Sequence, residues 1–280
     1  MHIKPKKSLG QNFLADKNIL SKMVSACAIS GDDIVLEIGA GMGDLTQMLA
    51  QRAKEVYALE IDRRVFGALK QRLSAYPNCR LLEGDILKFD IARFARERSY
   101  NRKIKVIGNI PYYISTPIIE HLIRYRTVID TVFMTVQKEF ARRVVASAGS
   151  KEYGSLSCFV RYYAEGRIIF EIKKGSFKPS PKVDSCFLSL KFREIPAVDV
   201  FGEGPLFELI RAAFNQRRKT LRNALKSYLD GALLENFLKD KGIDRNVRAE
   251  RLTLVEFADI CNYMAARGAL RKHLTVTKNK

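Results

Sequence analysis

The chain has 280 residues, 47% of them hydrophobic, which is enough for one substantial core and a smaller companion domain. Its formal charge of +19 calls for a polyanionic partner, and aromatic residues around the motifs below favour nucleic acid over a membrane. Five cysteines (Cys27, Cys79, Cys158, Cys186, Cys261) lie far apart with no C-x-x-C pair, and only three histidines accompany them. Reduced thiols are therefore expected, without a disulfide framework or a metal site. No apolar run is long enough to span a bilayer, and Met1 to Gly10 is basic without a signal-peptide core, so a cytoplasmic location is expected.

In chain order, the basic N-terminus gives way at Gly10-Gln11-Asn12-Phe13-Leu14 to a mixed stretch ahead of a helix capped at Asp16, with Ile19, Met23 and Val24 on one face. On the residues alone, Phe13 and Leu14 read as a hydrophobic staple on that helix. The apolar run from Ile34 to Ile38 reads as a buried strand. Gly39, Gly41 and Gly43 follow it, and Leu45, Met48 and Leu49 then recur at helical spacing. Glycines in such a turn let a ligand come within van der Waals reach of the backbone, although they are also ordinary turn residues. The spacing is G-x-G-x-G, not the G-x-G-x-x-G that seats a pyrophosphate, so the expected ligand is a nucleoside without one.

Residues 55 to 62 form a second strand ending in an acid about twenty residues beyond the glycine turn, where α/β nucleotide sites place a carboxylate on the ribose hydroxyls. Glu60 is the candidate, and Asp62 suits the N-cap of a helix with Val65, Leu69 and Leu73 on one face. A third strand, Cys79 to Leu82, leads into Glu83-Gly84-Asp85, where Asp85 can accept a hydrogen bond from a ligand's exocyclic amine. Either acid alone reads equally as a solvated loop residue. Together, at successive strand ends, they favour a cationic or neutral nucleoside over a polyphosphate.

The fourth strand, Lys103 to Ile107, ends in Gly108-Asn109-Ile110-Pro111-Tyr112. An amine conjugated with an adenine ring is a poor nucleophile, and acceptors that favour a tetrahedral nitrogen improve it. The Asn109 side-chain oxygen and the Pro111 carbonyl offer two such acceptors. Tyr112 can stack on the base, a contact worth roughly 1 to 3 kcal/mol. Asn and Pro also suit plain turns, and the position at a strand end in a nucleoside fold favours the chemical reading.

A helix is expected from Ser115-Thr116-Pro117, a fifth strand at Val132 to Val136 and a helix from Glu139 to Ala146, with Gln137, Lys138 and Arg142 near the site's mouth, where cations would meet phosphates, or equally as a solvated helix start. Ser155 to Tyr163 reads as helix, Ile168 to Ile172 and Ser185 to Phe192 as strands, the last two giving the sheet an antiparallel end. Between them the prolines of Phe177-Lys178-Pro179-Ser180-Pro181 stiffen a loop whose Phe177, on the residues alone, belongs in the core. A Pro/Gly connector at Glu194 to Pro205 precedes a helical remainder. There Phe214, Leu221 and Leu225 share one helical face and Asn215, Lys219, Arg222 and Lys226 another. With Arg217 and Arg218 beside it, this cationic face is expected to touch an RNA backbone, its plain alternative being a solvated surface. Arg248 to Thr253 is expected to cap the final helix, and the lysine-rich end from Arg271 to lie outside any fold.

Residues 35 to 46, Asn109-Ile110-Pro111-Tyr112, Lys182-Val183-Asp184-Ser185, Phe214 to Asn223 and Arg248 to Leu252 resemble the small-subunit ribosomal RNA adenine dimethyltransferase family, from about Lys7 to Ile260. The resemblance implies a Rossmann-like class I methyltransferase α/β sheet with helices on both faces in residues 1–196, an all-helical RNA-binding domain in 203–268 and a basic tail in 269–280. It implies S-adenosylmethionine as cofactor, held by Asn12, Leu14, Gly39, Gly41, Glu60, Asp85 and Asn109, with the N-terminal segment folded over it. It also implies that Asn109, Pro111, Tyr112 and Phe177 hold the target, Phe177 sandwiching the flipped base opposite Tyr112, and that Arg217, Arg218, Lys219 and Arg222 bind RNA. The expected partner is small-subunit ribosomal RNA in partly assembled 30S particles, the expected state a monomer. Tyr113 departs from the polar residue expected at its position. The alternatives are the related large-subunit methyltransferases of macrolide resistance, and an assembly factor that binds RNA without catalysis, against which the intact Asn109 and Tyr112 speak.

Overall fold

The computed structural model describes residues 10–99 and 102–270, so the basic stretch before Gly10 and the tail expected from 269 lie, but for residues 10, 269 and 270, outside the described residues. The described residues form two compact units. One runs to Ala141 and adds Glu165–Glu194; the other comprises Arg142–Ala164 and the chain from Ile195 onward.

The first unit begins with a two-residue strand, β1 (Phe13–Leu14), and helix α1 (Lys17–Ala26), whose first turn is capped by the Asp16 carboxylate accepting from the Asn18 and Ile19 amides. Three β-α units follow: β2 (Ile34–Ile38) and α2 (Asp44–Ala50), β3 (Glu55–Glu60) and α3 (Arg63–Leu73), β4 (Cys79–Glu83) and α4 (Ile91–Arg98). Then come β5 (Ile104–Asn109), α5 (Ser115–Arg124), β6 (Ile129–Gln137) and α6 (Lys138–Val145), the last crossing into the second unit, where α7 (Ser155–Tyr163) lies. The chain returns through β7 (Ala164–Ile172), β8 (Phe177–Lys178) and β9 (Ser185–Phe192). Every residue of β2 is buried, as expected of a strand covered on both faces, and its apolar run carries a single charge, Glu37.

Seven strands make one sheet in the order β4-β3-β2-β5-β6-β9-β7, and β1 pairs separately with β8. Strands β4 to β6 are mutually parallel, while β9 is antiparallel to β6, so the expected antiparallel end is present. The strand order reverses at β2, between β3 and β5. In such sheets the crevice beyond the strand C-termini at the reversal is where ligands sit. Ile38 of β2 pairs with Gly108 of β5, which sets the glycine turn beside Asn109.

The second unit is helical: α7 with α8 (Glu203–Asn215), α9 (Leu221–Leu225), α10 (Gly231–Asp240) and α11 (Leu254–Ala265). Residues 142–164, read from sequence with the sheet, therefore cluster with these helices instead. The cause is aromatic packing: Phe159 and Tyr162 each meet Phe207 at 5.2 Å between ring centres, and Tyr153 meets Phe214 at 5.6 Å. The single helical face expected across residues 214–226 is also corrected, because the chain turns between Asn215 and Leu221. Thr220 starts a new helix by accepting from the Asn223 amide, and the Leu221 amide donates to the Val247 carbonyl at 2.7 Å. Phe214, Leu221 and Leu225 are all buried nonetheless. Thr253 and Glu256 close a reciprocal capping box at the start of α11.

Candidate active site

The glycine turn leaves β2 with Gly39, Gly41 and Gly43 all at positive φ, +74°, +55° and +82°. At Gly41 the conformation and the space agree, since a Cβ there would stand 2.9 Å from Cε1 of Phe13. The turn is tied to the end of β3. The Gly39 amide donates to the Leu59 carbonyl at 2.8 Å and the Gly41 amide to Glu60 Oε2 at 2.8 Å. The other oxygen of Glu60 accepts from the amides of Ile61 (2.9 Å) and Asp62 (2.8 Å). Glu60 thus braces two loops through backbone donors, a task its sequence position did not reveal, while still lining the cleft.

That cleft, of about 840 Å³ including its mouth, is lined by the glycine turn, Glu60, Ile61, Asp85, Ile86, Asn109 to Ile114 and the N-terminal residues Gly10 to Phe13. Its lining contains no Lys or Arg among the described residues; its charged members are carboxylates. Asp85 Oδ1 accepts from the Leu87 amide at 3.0 Å, and its second oxygen accepts no hydrogen bond among the described residues. Asp62 caps α3 as expected and is gripped by Arg64 (2.6 Å) and Gln11 (3.0 Å). The Arg64 guanidinium is the main reason its pKa falls to about 2, with Gln11 assisting against partial burial.

A smaller cavity of about 390 Å³ shares Phe13, Gly39, Gly41 and Asn109 with the cleft and adds Leu14, Glu37, Met42 and Asp44. Phe13 therefore borders both spaces. Glu37 is 2% exposed, and among the described residues neither its Oε2 nor the neighbouring Thr46 Oγ1 has a hydrogen-bond partner. Burial raises its pKa to about 8 against the pull of the adjacent Thr46 hydroxyl, and the charges of Glu60 and Asp44 push in the same direction as burial. This buried acid was passed over in the sequence, where its one signal was a charge inside an apolar strand. Ile61, 51% exposed at the cleft, was passed over too.

Asn109 ends β5. Its Nδ2 donates to the backbone carbonyl of Asn12 at 2.8 Å, which leaves Oδ1 as the acceptor end of the amide. The Pro111 carbonyl receives the Ile114 amide at 3.3 Å and keeps a second lone pair. The Tyr112 hydroxyl lies 2.6 Å from Ser185 Oγ, and burial holds that phenol above its ordinary pKa while Ser185 pulls the other way. Asn12, Gly39, Gly41, Glu60, Asp85, Asn109, Pro111 and Tyr112 are thus brought together. Leu14 lines only the smaller cavity.

Phe177 is not brought to the cleft. It is 2% exposed, pairs through β8 with Leu14 of β1, and packs with Phe187, Ile172 and Leu20. The core placement read from the residues alone is the observed one, and Phe177 is not among the residues lining the cleft where the resemblance placed it opposite Tyr112. Phe13 and Leu14 form a strand rather than a staple. Among the four cations, Arg217 and Arg222 are engaged by Glu250 (3.4 Å) and Glu235 (3.0 Å), while Arg218 and Lys219 are exposed and form no ion pair among the described residues. No group of three or more His, Cys, Asp or Glu able to hold a metal ion occurs among the described residues, and no helix there is long and apolar enough to cross a membrane.

Comparison with known proteins adds the family. The model of the ribosomal RNA adenine dimethylase family matches residues 2–266. Curated relatives named ribosomal RNA small subunit methyltransferase A are 45% identical in Geobacillus thermodenitrificans, over 92% of this chain and 90% of theirs, and 40% identical in Alkaliphilus oremlandii, over 93% and 92%. Among solved structures, a dimethyladenosine transferase from Plasmodium falciparum aligns with a TM-score of 0.75 at 28% identity, covering 92% of this chain and 99% of that one. The 23S rRNA methyltransferase ErmE aligns at 0.68 and 27%, covering 89% and 100%. The sheet with its strand-end cleft and the match over residues 2–266 make this chain a member of the ribosomal RNA adenine dimethylase family.

Proposed function

We propose that the chain dimethylates the exocyclic amine of adenines in small-subunit ribosomal RNA, with S-adenosylmethionine as methyl donor. The observation that carries this reading is the charge of the cleft: carboxylates and, among the described residues, no cations, in a chain of net charge +19. A polyphosphate would be repelled there, whereas a donor with a sulfonium and an ammonium is attracted. When bound, S-adenosylmethionine supplies an electrophilic methyl group on sulfur.

Asp85 would accept from the amine of the cofactor's adenine, Ile61 and Ile86 would offer apolar side chains to its ring, and Glu60 would offer its remaining lone pairs to the ribose hydroxyls. Asp44, shared with Arg72, gives the smaller cavity a charge suited to the ammonium group, and the Glu37 carboxyl, held uncharged by burial near neutral pH, offers it an acceptor oxygen. At the other side of Asn109, its Oδ1 and the Pro111 carbonyl accept from the target amine and draw its lone pair out of conjugation. Tyr112 holds the base by stacking. No strong base is required, because the nitrogen becomes acidic once methylated. A looped adenine costs least to extract from its stack, so loops of structured RNA are favoured. Arg218 and Lys219 contribute backbone contacts from the helical unit, and the setting is the cytoplasm, a monomer acting on partly assembled 30S particles.

Asn109→Ala should lower methyl incorporation into small-subunit RNA by about 10²–10³-fold, the usual cost of one group aimed at the reacting centre, with RNA affinity within about twofold. Full incorporation by that variant, measured with tritiated donor, would remove the mechanism.

A further inference from the structure

Tyr113 is the unexpected residue of the catalytic loop, and the structure places it differently from its neighbour. Tyr112 is half-buried and hydrogen-bonded to Ser185, whereas Tyr113 is 64% exposed at the mouth of the cleft. It is nevertheless held. Gly10, at φ +59°, lies so close to the ring that a Cβ there would stand 3.1 Å from Cε1 and 3.2 Å from Cδ1, with the Pro111 side chain 3.5 Å away. An aromatic ring supported by backbone on one side and open to solvent on the other, in a chain of charge +19, fits a flat uncharged ligand belonging to a polyanion.

We propose that Tyr113 is a stacking platform for the nucleotide adjoining the target adenine, a positioning role that rests on the reading of the Asn109 cleft given above. Consecutive residues place two aromatic rings at the cleft, one inside and one at the rim, and successive bases of a single strand stack on successive aromatics in this manner. With one base held on Tyr112, the chain of the RNA must leave by the mouth, where the next base meets Tyr113. The ring thereby fixes the strand's direction and the depth to which the target enters.

The test uses an RNA hairpin with two adjacent looped adenines, one replaced by the fluorescent analogue 2-aminopurine, and the full-length protein. Wild-type protein should quench the analogue on binding. Tyr113→Phe, which keeps the ring, should quench equally. Tyr113→Ala should lose the quenching and raise KM for RNA about tenfold, far more than it lowers kcat, while cofactor affinity measured by calorimetry stays level and reports a folded protein. Removing the neighbouring base should weaken binding to wild type but not to the alanine variant. Quenching retained by Tyr113→Ala, or an equal penalty for the missing base in both proteins, would overturn the platform. If wild-type protein transfers no methyl group to this RNA or to small-subunit RNA, the reading of the cleft falls and takes the platform with it.

Discussion

Glu37 shows how far one side chain's ionisation can be coupled to the fold. Its folded pKa of about 8 lies above the ordinary carboxylate value of 4.5, so the folded state binds the proton more tightly than the unfolded one. Stability from this group is therefore complete below pH 4.5, declines as pH rises between 4.5 and about 8, and levels off above. The span corresponds to a loss on the order of 5 kcal/mol. Glu37→Gln should remove that decline, and denaturant unfolding of both proteins at pH 6 and at about pH 9 checks it: the difference between the two pH values should shrink in the variant. Asn109 and Asp85 were legible as cleft residues because one ends a strand and the other stands just past one; Glu37 was not, because its Oε2 is left without a partner only by packing that sequence does not display.

At the scale of elements, the two-residue strand β1 does more than its length suggests. Its pairing with β8 buries Leu14, sets the Phe13 ring over Gly41, and keeps the Asn12 carbonyl on the amide of Asn109. Leu14→Ala should cost roughly 2 to 3 kcal/mol of stability, the lower range for a buried leucine. It should also weaken cofactor binding more than RNA binding, which calorimetry against each ligand separately will show. The glycine turn, the strand and helix succession and the caps at Asp16, Asp62 and Thr253 were readable, since they depend on residues a few positions apart. The β1–β8 pair was not, because it joins residues 13–14 to 177–178 and neither partner has strand length by itself.

For the whole molecule, the charge of +19 and the acidic cleft divide the work of recognition. Each phosphate contact made by a cation steepens the salt dependence of binding by about 0.7 of a logarithmic unit for single strands. Reversing Arg218 and Lys219 together should flatten the slope by about 1 to 2 and weaken binding at low salt; reversing Arg217 or Arg222, already paired with glutamates, should change it less. Fluorescence anisotropy across a salt series reads both. By itself the amino-acid sequence determined the α/β class, the positions of the strand ends and the excess of positive charge, because these follow from local periodicity and composition. Only the tertiary structure decided that Phe177 lies in the core, that residues 142–164 join the helical unit, and that one carboxyl oxygen of the lone glutamate in β2 is left without a partner among the described residues. Those outcomes depend on which distant surfaces pack together, and a side chain's environment is a property of that packing, not of its neighbours along the chain.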